Sequence, residues 1–278
     1  MEKTIESGLK YVDNGVNSDR LIVLVGGLGD VHNGFYSMDI MEFGQEEGIR
    51  VVSLGLRSMP DYNYYTINND VEDLQVFYKE LRMKEYACVW FIGHSTGCQI
   101  LMLFASAVAL RDSEIIILQA PVSDREYEES RNNNLKKSLD IASKLNEIMR
   151  FENAKNDPDL DKHQMILYLR HNDTPFRADR FLSLFQKGGT EDFFSIGQAT
   201  DHINACNAKV YAILSLYDEY VVSPIDEIEE HLKGIRNMQK VYRIKADHSL
   251  FEGFDEFISV LREIISQTGR ETGLEVSP

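Results

Sequence analysis

A serine enclosed by glycines, Gly93-His94-Ser95-Thr96-Gly97, is the group in this chain best suited to bond-breaking chemistry. A serine hydroxyl is a weak nucleophile at neutral pH. It attacks a carbonyl only when a general base takes its proton, and that base, usually His, needs a carboxylate to orient it. The G-x-S-x-G spacing alone is weak, since it arises by chance in roughly one chain in ten of this length. The flanks carry more. Val89-Trp90-Phe91-Ile92 reads as a buried strand, and residues 99–110 are apolar on nearly every face, as in a buried helix. A strand, a tight turn centred on serine and a buried helix compose a nucleophile elbow, whose strained backbone makes Oγ project from the sheet edge. Strand and helix approach so closely there that side chains at Gly93 and Gly97 would clash.

In such a setting the partners follow in the chain order Ser, acid, His. Of the histidines after Ser95, His248 alone lies just past the last strand, in Ala246-Asp247-His248-Ser249-Leu250, and is assigned as general base. His163, His171, His202 and His231 fall in an inserted region or in helices and are read as surface residues. His94 is read as a ring packed beside the strand. For the acid, Asp218 at the carboxyl end of a strand is preferred; Asp124, after the preceding strand, is the rival, and Glu219 a third option. Asp247 is disfavoured, because adjacent side chains in an extended loop point apart. With Asp218 as the acid, Asp124 is expected to pair with Arg125 or with a residue of the insertion. A tetrahedral intermediate also needs two backbone donors. The N–H of Thr96, at the start of a helix whose dipole assists, and the N–H of Leu28, in Gly26-Gly27-Leu28-Gly29-Asp30, are the candidates for this oxyanion hole.

The elements that must position these residues are legible from hydrophobic pattern. Strands are expected at 9–12, 21–25, 49–54, 89–92, 114–118, 209–214 and 240–244. Helices are expected at 35–47, 71–83, 99–110, 223–233 and 250–265, and a frayed tail at 267–278. Alternation of strands and helices implies an α/β fold, a mostly parallel sheet with helices on both faces. Residues 127–206 show helical spacing and no strong strand, so they are assigned as a helical cap or lid on a core made of 1–126 and 207–278.

Composition narrows the function. The 278 residues are 43% hydrophobic and 27% charged, ordinary for a globular protein. A net charge of −16 argues against nucleic acid and against an anionic membrane surface. No apolar run approaches a membrane span, and the N-terminal residues hold no apolar signal segment, so the default location is the cytoplasm. Cys88, Cys98 and Cys206 form no framework and read as free thiols. Gly26-Gly27-Leu28-Gly29 lacks the spacing of a dinucleotide loop, and no Walker lysine follows it. No metal-ligand spacing occurs, so no metal and no cofactor are expected.

Several blocks are more specific than G-x-S-x-G. They are Gly26-Gly27-Leu28-Gly29-Asp30, Gly93-His94-Ser95-Thr96-Gly97-Cys98-Gln99, Ala120-Pro121-Val122-Ser123-Asp124-Arg125-Glu126 and Asp218-Glu219-Tyr220-Val221. Together they resemble the signature blocks of one α/β-hydrolase family of fungi, plants and protists, which includes fungal siderophore esterases acting on fusarinine-type esters. Arg180-Phe181-Leu182-Ser183-Leu184 and Asp192-Phe193-Phe194-Ser195 are similar to that family's lid region. The resemblance implies an α/β-hydrolase fold with Ser95, Asp218 and His248 as triad, and it leaves the substrate open; the triad chemistry itself leads to the expectation of a small-molecule ester. Val31-His32-Asn33-Gly34 departs from the Gly-rich continuation of that family. Two functions compete: a serine esterase, and a hydrolase-fold protein that binds a ligand or partner without turnover. A thioesterase, peptidase or acyltransferase would use the same triad.

Overall fold

The computed structural model describes residues 1–154, 165–201, 203–204 and 206–271. His163 and His202, and the tail from 272 onward, lie outside the described residues. The chain runs β1 (Glu2–Thr4), β2 (Lys10–Asp13), β3 (Arg20–Val25), α1 (Phe35–Glu46), β4 (Arg50–Gly55), α2 (Ile67–Glu80), β5 (Cys88–His94), α3 (Thr96–Ala107) and β6 (Glu114–Gln119). It continues through α4 (Asp124–Arg131), α5 (Leu135–Ala154), β7 (Tyr168–His171), β8 (Thr174–Arg177) and α6 (Ala178–Phe185). It closes with β9 (Val210–Ser215), α7 (Ile225–Lys233), β10 (Met238–Ile244) and α8 (Phe254–Glu271).

Eight strands form one sheet in the order β1-β2-β4-β3-β5-β6-β9-β10. The six from β4 to β10 are parallel, and β1 and β2 add an antiparallel edge. The continuous apolar runs follow from this, because both faces of the sheet are covered. Val23, Phe91, Ile116 and Ala212 pack on one face with Leu74 and Phe77 of α2, Phe104 of α3 and Leu232 of α7. Their immediate neighbours Ile22, Trp90, Ile117 and Tyr211 pack on the other with Ile40 of α1 and Phe257, Leu261 and Ile264 of α8. The period of two thus sorts one apolar run into two cores. The helix α8 extends further than its sequence suggests. Thr268 is 1% exposed and accepts the Trp90 indole N–H at 2.9 Å, and the helix runs on to residue 271, so 267–271 are helical and not a frayed end.

Between β6 and β9 the chain builds a separate apolar cluster from Leu135, Ala142, Leu169, Phe176, Phe181 and Phe185. This segment contains a hairpin, β7–β8, where the sequence pattern indicated no strand. Each strand has only four residues, and one carries Pro175, which hides the alternation. The turn itself was the available signal. Asn172 and Asp173 occupy two successive positive-φ positions (47° and 63°), the two-residue turn that Asn and Asp favour in hairpins.

Candidate active site

Ser95 joins the end of β5 to the start of α3 with φ 52° and ψ −121°. Such a backbone is strained for any residue with a Cβ, and it persists only where the surroundings enforce it. Gly93 and Gly97 provide that enforcement. A Cβ on Gly93 would lie 2.6 Å from the Gly97 carbonyl, and one on Gly97 2.1 Å from the Val25 carbonyl oxygen. Only hydrogen atoms fit between strand, turn and helix. The loop after β3 packs against the serine as well, since a Cβ on Gly27 would come 2.7 Å from Ser95 Cβ.

His248 lies in the loop between β10 and α8 and is buried. Its Nδ1–H donates to Asp218 Oδ2 at 2.8 Å. The N–H of Tyr220 donates to Asp218 Oδ1 at 2.9 Å, which fixes the carboxylate. The three candidate acids therefore separate by partner. Asp218 bonds the His248 ring; Glu219 accepts the His248 backbone N–H at 3.2 Å; Asp124 accepts from Gln99 Nε2 at 3.2 Å. Of the two partners expected for Asp124, Arg125 does not pair with it, whereas Arg180 of the insertion acts on it electrostatically. Arg125 turns to Asp192 and Glu129, because the first turn of α4 points it at the segment carrying Asp192. With Nδ1 donating, Nε2 of His248 is the nitrogen able to take a proton.

Ser95, His248 and Leu28 line one cavity of about 410 Å³. Its wall is partly aromatic. The Tyr127 and Tyr220 rings lie 4.8 Å apart, and the Tyr220 and His248 rings 4.5 Å apart. It is also polar, with Asp124, Glu128, Arg131 and His171 on the lining. His171 is not a surface residue. It is 5% exposed, with Nε2 2.8 Å from Glu128 Oε1 and Nδ1 2.9 Å from Ser138 Oγ, because the hairpin turns it inward against Phe181. His231 is half-buried, its Nε2 2.8 Å from the Phe193 carbonyl. Thr96 is the first residue of α3, and a helix's first N–H groups have no partner within it, so this donor is available beside Ser95. Cys98 is buried, with Sγ 3.1 Å from the Gly93 carbonyl, and burial pushes its thiol well above the ordinary range, as suits a packing residue. Among the described residues no group of three or more His, Cys, Asp or Glu could hold a metal ion. No described helix is long and apolar enough to cross a membrane.

Arg180 of α6 is buried and meets Asp70 of α2 at 3.9 Å and Glu191 of its own segment at 3.1 Å. Burial pushes Asp70 and Asp124 up to about 6 and Glu191 up to about 7, against the pull of Arg180. In the unfolded chain such groups titrate near about 4. The folded protein therefore holds the extra protons, and the stability this brings is complete below about pH 4 and lost as pH rises through 6 to 7. Glu191→Gln should make the unfolding free energy, measured in urea, fall less steeply between pH 5 and pH 8 than in wild type. Parallel pH profiles would contradict this assignment.

A family model described as a protein of unknown function, DUF1749, matches residues 5–250. The chain belongs to that family. No curated protein matches it. Among solved structures, the chain is similar to the siderophore hydrolase EstB from Aspergillus fumigatus, with a TM-score of 0.67, 17% identity, and 96% of this chain and 97% of that one covered. It is also similar to the alpha/beta hydrolase GrgF from Penicillium sp. sh18 (TM-score 0.65, 12% identity, 99% and 98% covered). A third is the Paleococcus ferrophilus monoacylglycerol lipase (TM-score 0.62, 15% identity, 94% and 99% covered). At such identities the likeness is one of fold, and the fold is that of the α/β-hydrolases.

Sequence reasoning missed two features of the site. One is the Tyr127–Tyr220 wall, whose residues come from distant segments and carry no local signal. The other is a second carboxylate–imidazole contact, Asp30 Oδ2 to His94 Nδ1 at 2.8 Å, for which the Asp30 that ends Gly26-Gly27-Leu28-Gly29-Asp30 was the only mark.

Proposed function

We propose that this protein is a serine hydrolase that cleaves carboxylic esters of small molecules. Ser95 Oγ attacks the ester carbonyl while His248 Nε2 takes its proton. Asp218 holds the His248 ring and stabilises the imidazolium as it forms. The N–H groups of Leu28 and Thr96 receive the developing oxyanion, and the N-terminus of α3 adds its dipole. His248 then returns the proton to the leaving alcohol, and water, activated by the same His248, releases the acyl group from Ser95. Residues 127–206 act as the lid that covers the acyl-enzyme, on a core of 1–126 and 207–278. The three buried free thiols suit a reducing compartment, and the cytoplasm is the proposed location.

The observation that carries this reading is the 2.8 Å bond from His248 Nδ1 to Asp218 Oδ2 in a cavity that Ser95 shares. The solved structures similar in fold include a siderophore hydrolase and a monoacylglycerol lipase, and the latter agrees with ester chemistry. The test is a stopped-flow assay with p-nitrophenyl acetate. An acyl-enzyme route gives a p-nitrophenol burst approaching one equivalent per Ser95 whenever deacylation is slow, and saturable turnover otherwise. A folded protein that binds esters saturably and releases no p-nitrophenol from any of a panel would instead be a binding protein.

A further inference from the structure

One oxygen of Asp30 serves two parts of the site. Asp30 Oδ2 accepts the Gly27 N–H at 2.7 Å and the His94 Nδ1–H at 2.8 Å. Gly27 precedes Leu28 in the loop proposed to supply an oxyanion donor, and it packs directly on Ser95. His94 precedes Ser95 in the elbow. The other ring nitrogen of His94, Nε2, lies 3.3 Å from the backbone carbonyl of His248, which Gln119 Nε2 also reaches at 3.3 Å. The His94 and His248 rings are 4.9 Å apart. A chain of contacts thus runs from the oxyanion loop, through Asp30 and His94, to the loop that carries the general base.

No part of the proposed reaction consumes a charge at Asp30, and the triad has its acid in Asp218. A carboxylate that ties two loops together acts by geometry. Burial favours its neutral form, but the bonds from His94 and Gly27 prevail and hold the carboxyl below its usual range, so it remains an acceptor for both donors. A side chain at position 26 would collide with it, 2.8 Å from Asp30 Cβ, so Gly26 is part of the same arrangement.

We propose, building on the Ser95 hydrolase proposed above, that Asp30 is a positioning residue that sets the oxyanion loop and, through His94, the His248 loop in one register around Ser95. Misplacing catalytic groups by an ångström costs rate, whereas ground-state substrate binding depends on the cavity wall. Asp30→Ala is therefore expected to lower kcat for p-nitrophenyl acetate by about 10- to 100-fold with KM within about threefold of wild type. The inhibition constant of phenylboronic acid, which forms a tetrahedral adduct on a serine Oγ, should rise by a similar factor. Asp30→Asn keeps one acceptor oxygen that can receive both donors but without the carboxylate charge, so it is expected to recover part of the loss. Its near-identical shape makes it the decisive variant if Asp30→Ala does not fold.

Thermal melting of both variants accompanies the kinetics. Folded variants with wild-type kcat and wild-type phenylboronic acid inhibition would overturn the role of Asp30, as would a loss that only tracks a smaller folded fraction. The underlying hydrolase assignment fails differently: wild type itself would then neither turn over the ester nor bind the boronic acid.

Discussion

Ser95→Ala is expected to lower kcat/KM for p-nitrophenyl esters by about 10⁴- to 10⁶-fold, the range found when a triad nucleophile is removed. The residue at this position must adopt φ 52°, and alanine meets the same backbone strain as serine, so the substitution leaves the elbow as it is. Ser95 lines the cavity, so removal of its hydroxyl enlarges an existing space and opens no new void in the core. Unfolding free energy should therefore stay within about 1 kcal/mol of wild type, as for substitutions that open no core cavity. Loss of activity with an intact fold separates chemistry from stability. Retained turnover in a folded Ser95→Ala protein would remove the nucleophile from the account.

The second large effect concerns the acid. Asp218→Asn places an amide against His248 Nδ1, and its NH₂ group favours the tautomer with the proton on Nε2. That nitrogen can then no longer take the proton from Ser95. The expected loss in kcat is about 10³- to 10⁴-fold. Asp124→Asn, by contrast, changes a residue held by Gln99, remote from the His248 ring in bonding terms, and should lower kcat by less than about tenfold. The two variants measured side by side decide between the acids that chain order left open. A larger loss in Asp124→Asn than in Asp218→Asn would reverse the assignment.

The parts of the structure visible in the sequence are those fixed by local physics. Val89-Trp90-Phe91-Ile92 reads as a strand covered on both faces, and beside it and the apolar run that follows, Gly93 and Gly97 read as a crossing too tight for side chains. These local facts pointed to Ser95, and chain order together with a place just past the last strand then pointed to His248. The parts that were hidden depend on tertiary contact. His171 looks like a polar residue in a polar stretch, and only the turn at Asn172 and Asp173 folds it inward onto Glu128 and Ser138. Thr268 lies in a stretch with the composition of a frayed end, yet Trp90, far away in the chain, gives it a partner. The link from Asp30 to His94 joins residues 64 positions apart, which no spacing rule could reveal.

The central claim is that Ser95 is an activated nucleophile. The most direct measurement is labelling of the folded protein with a fluorophosphonate probe, wild type beside Ser95→Ala, with the modified residue located by mass spectrometry. A stoichiometric adduct on Ser95 is expected in wild type and none in the variant. Absence of an adduct on folded wild type, or an adduct on another residue that persists in Ser95→Ala, would contradict that claim.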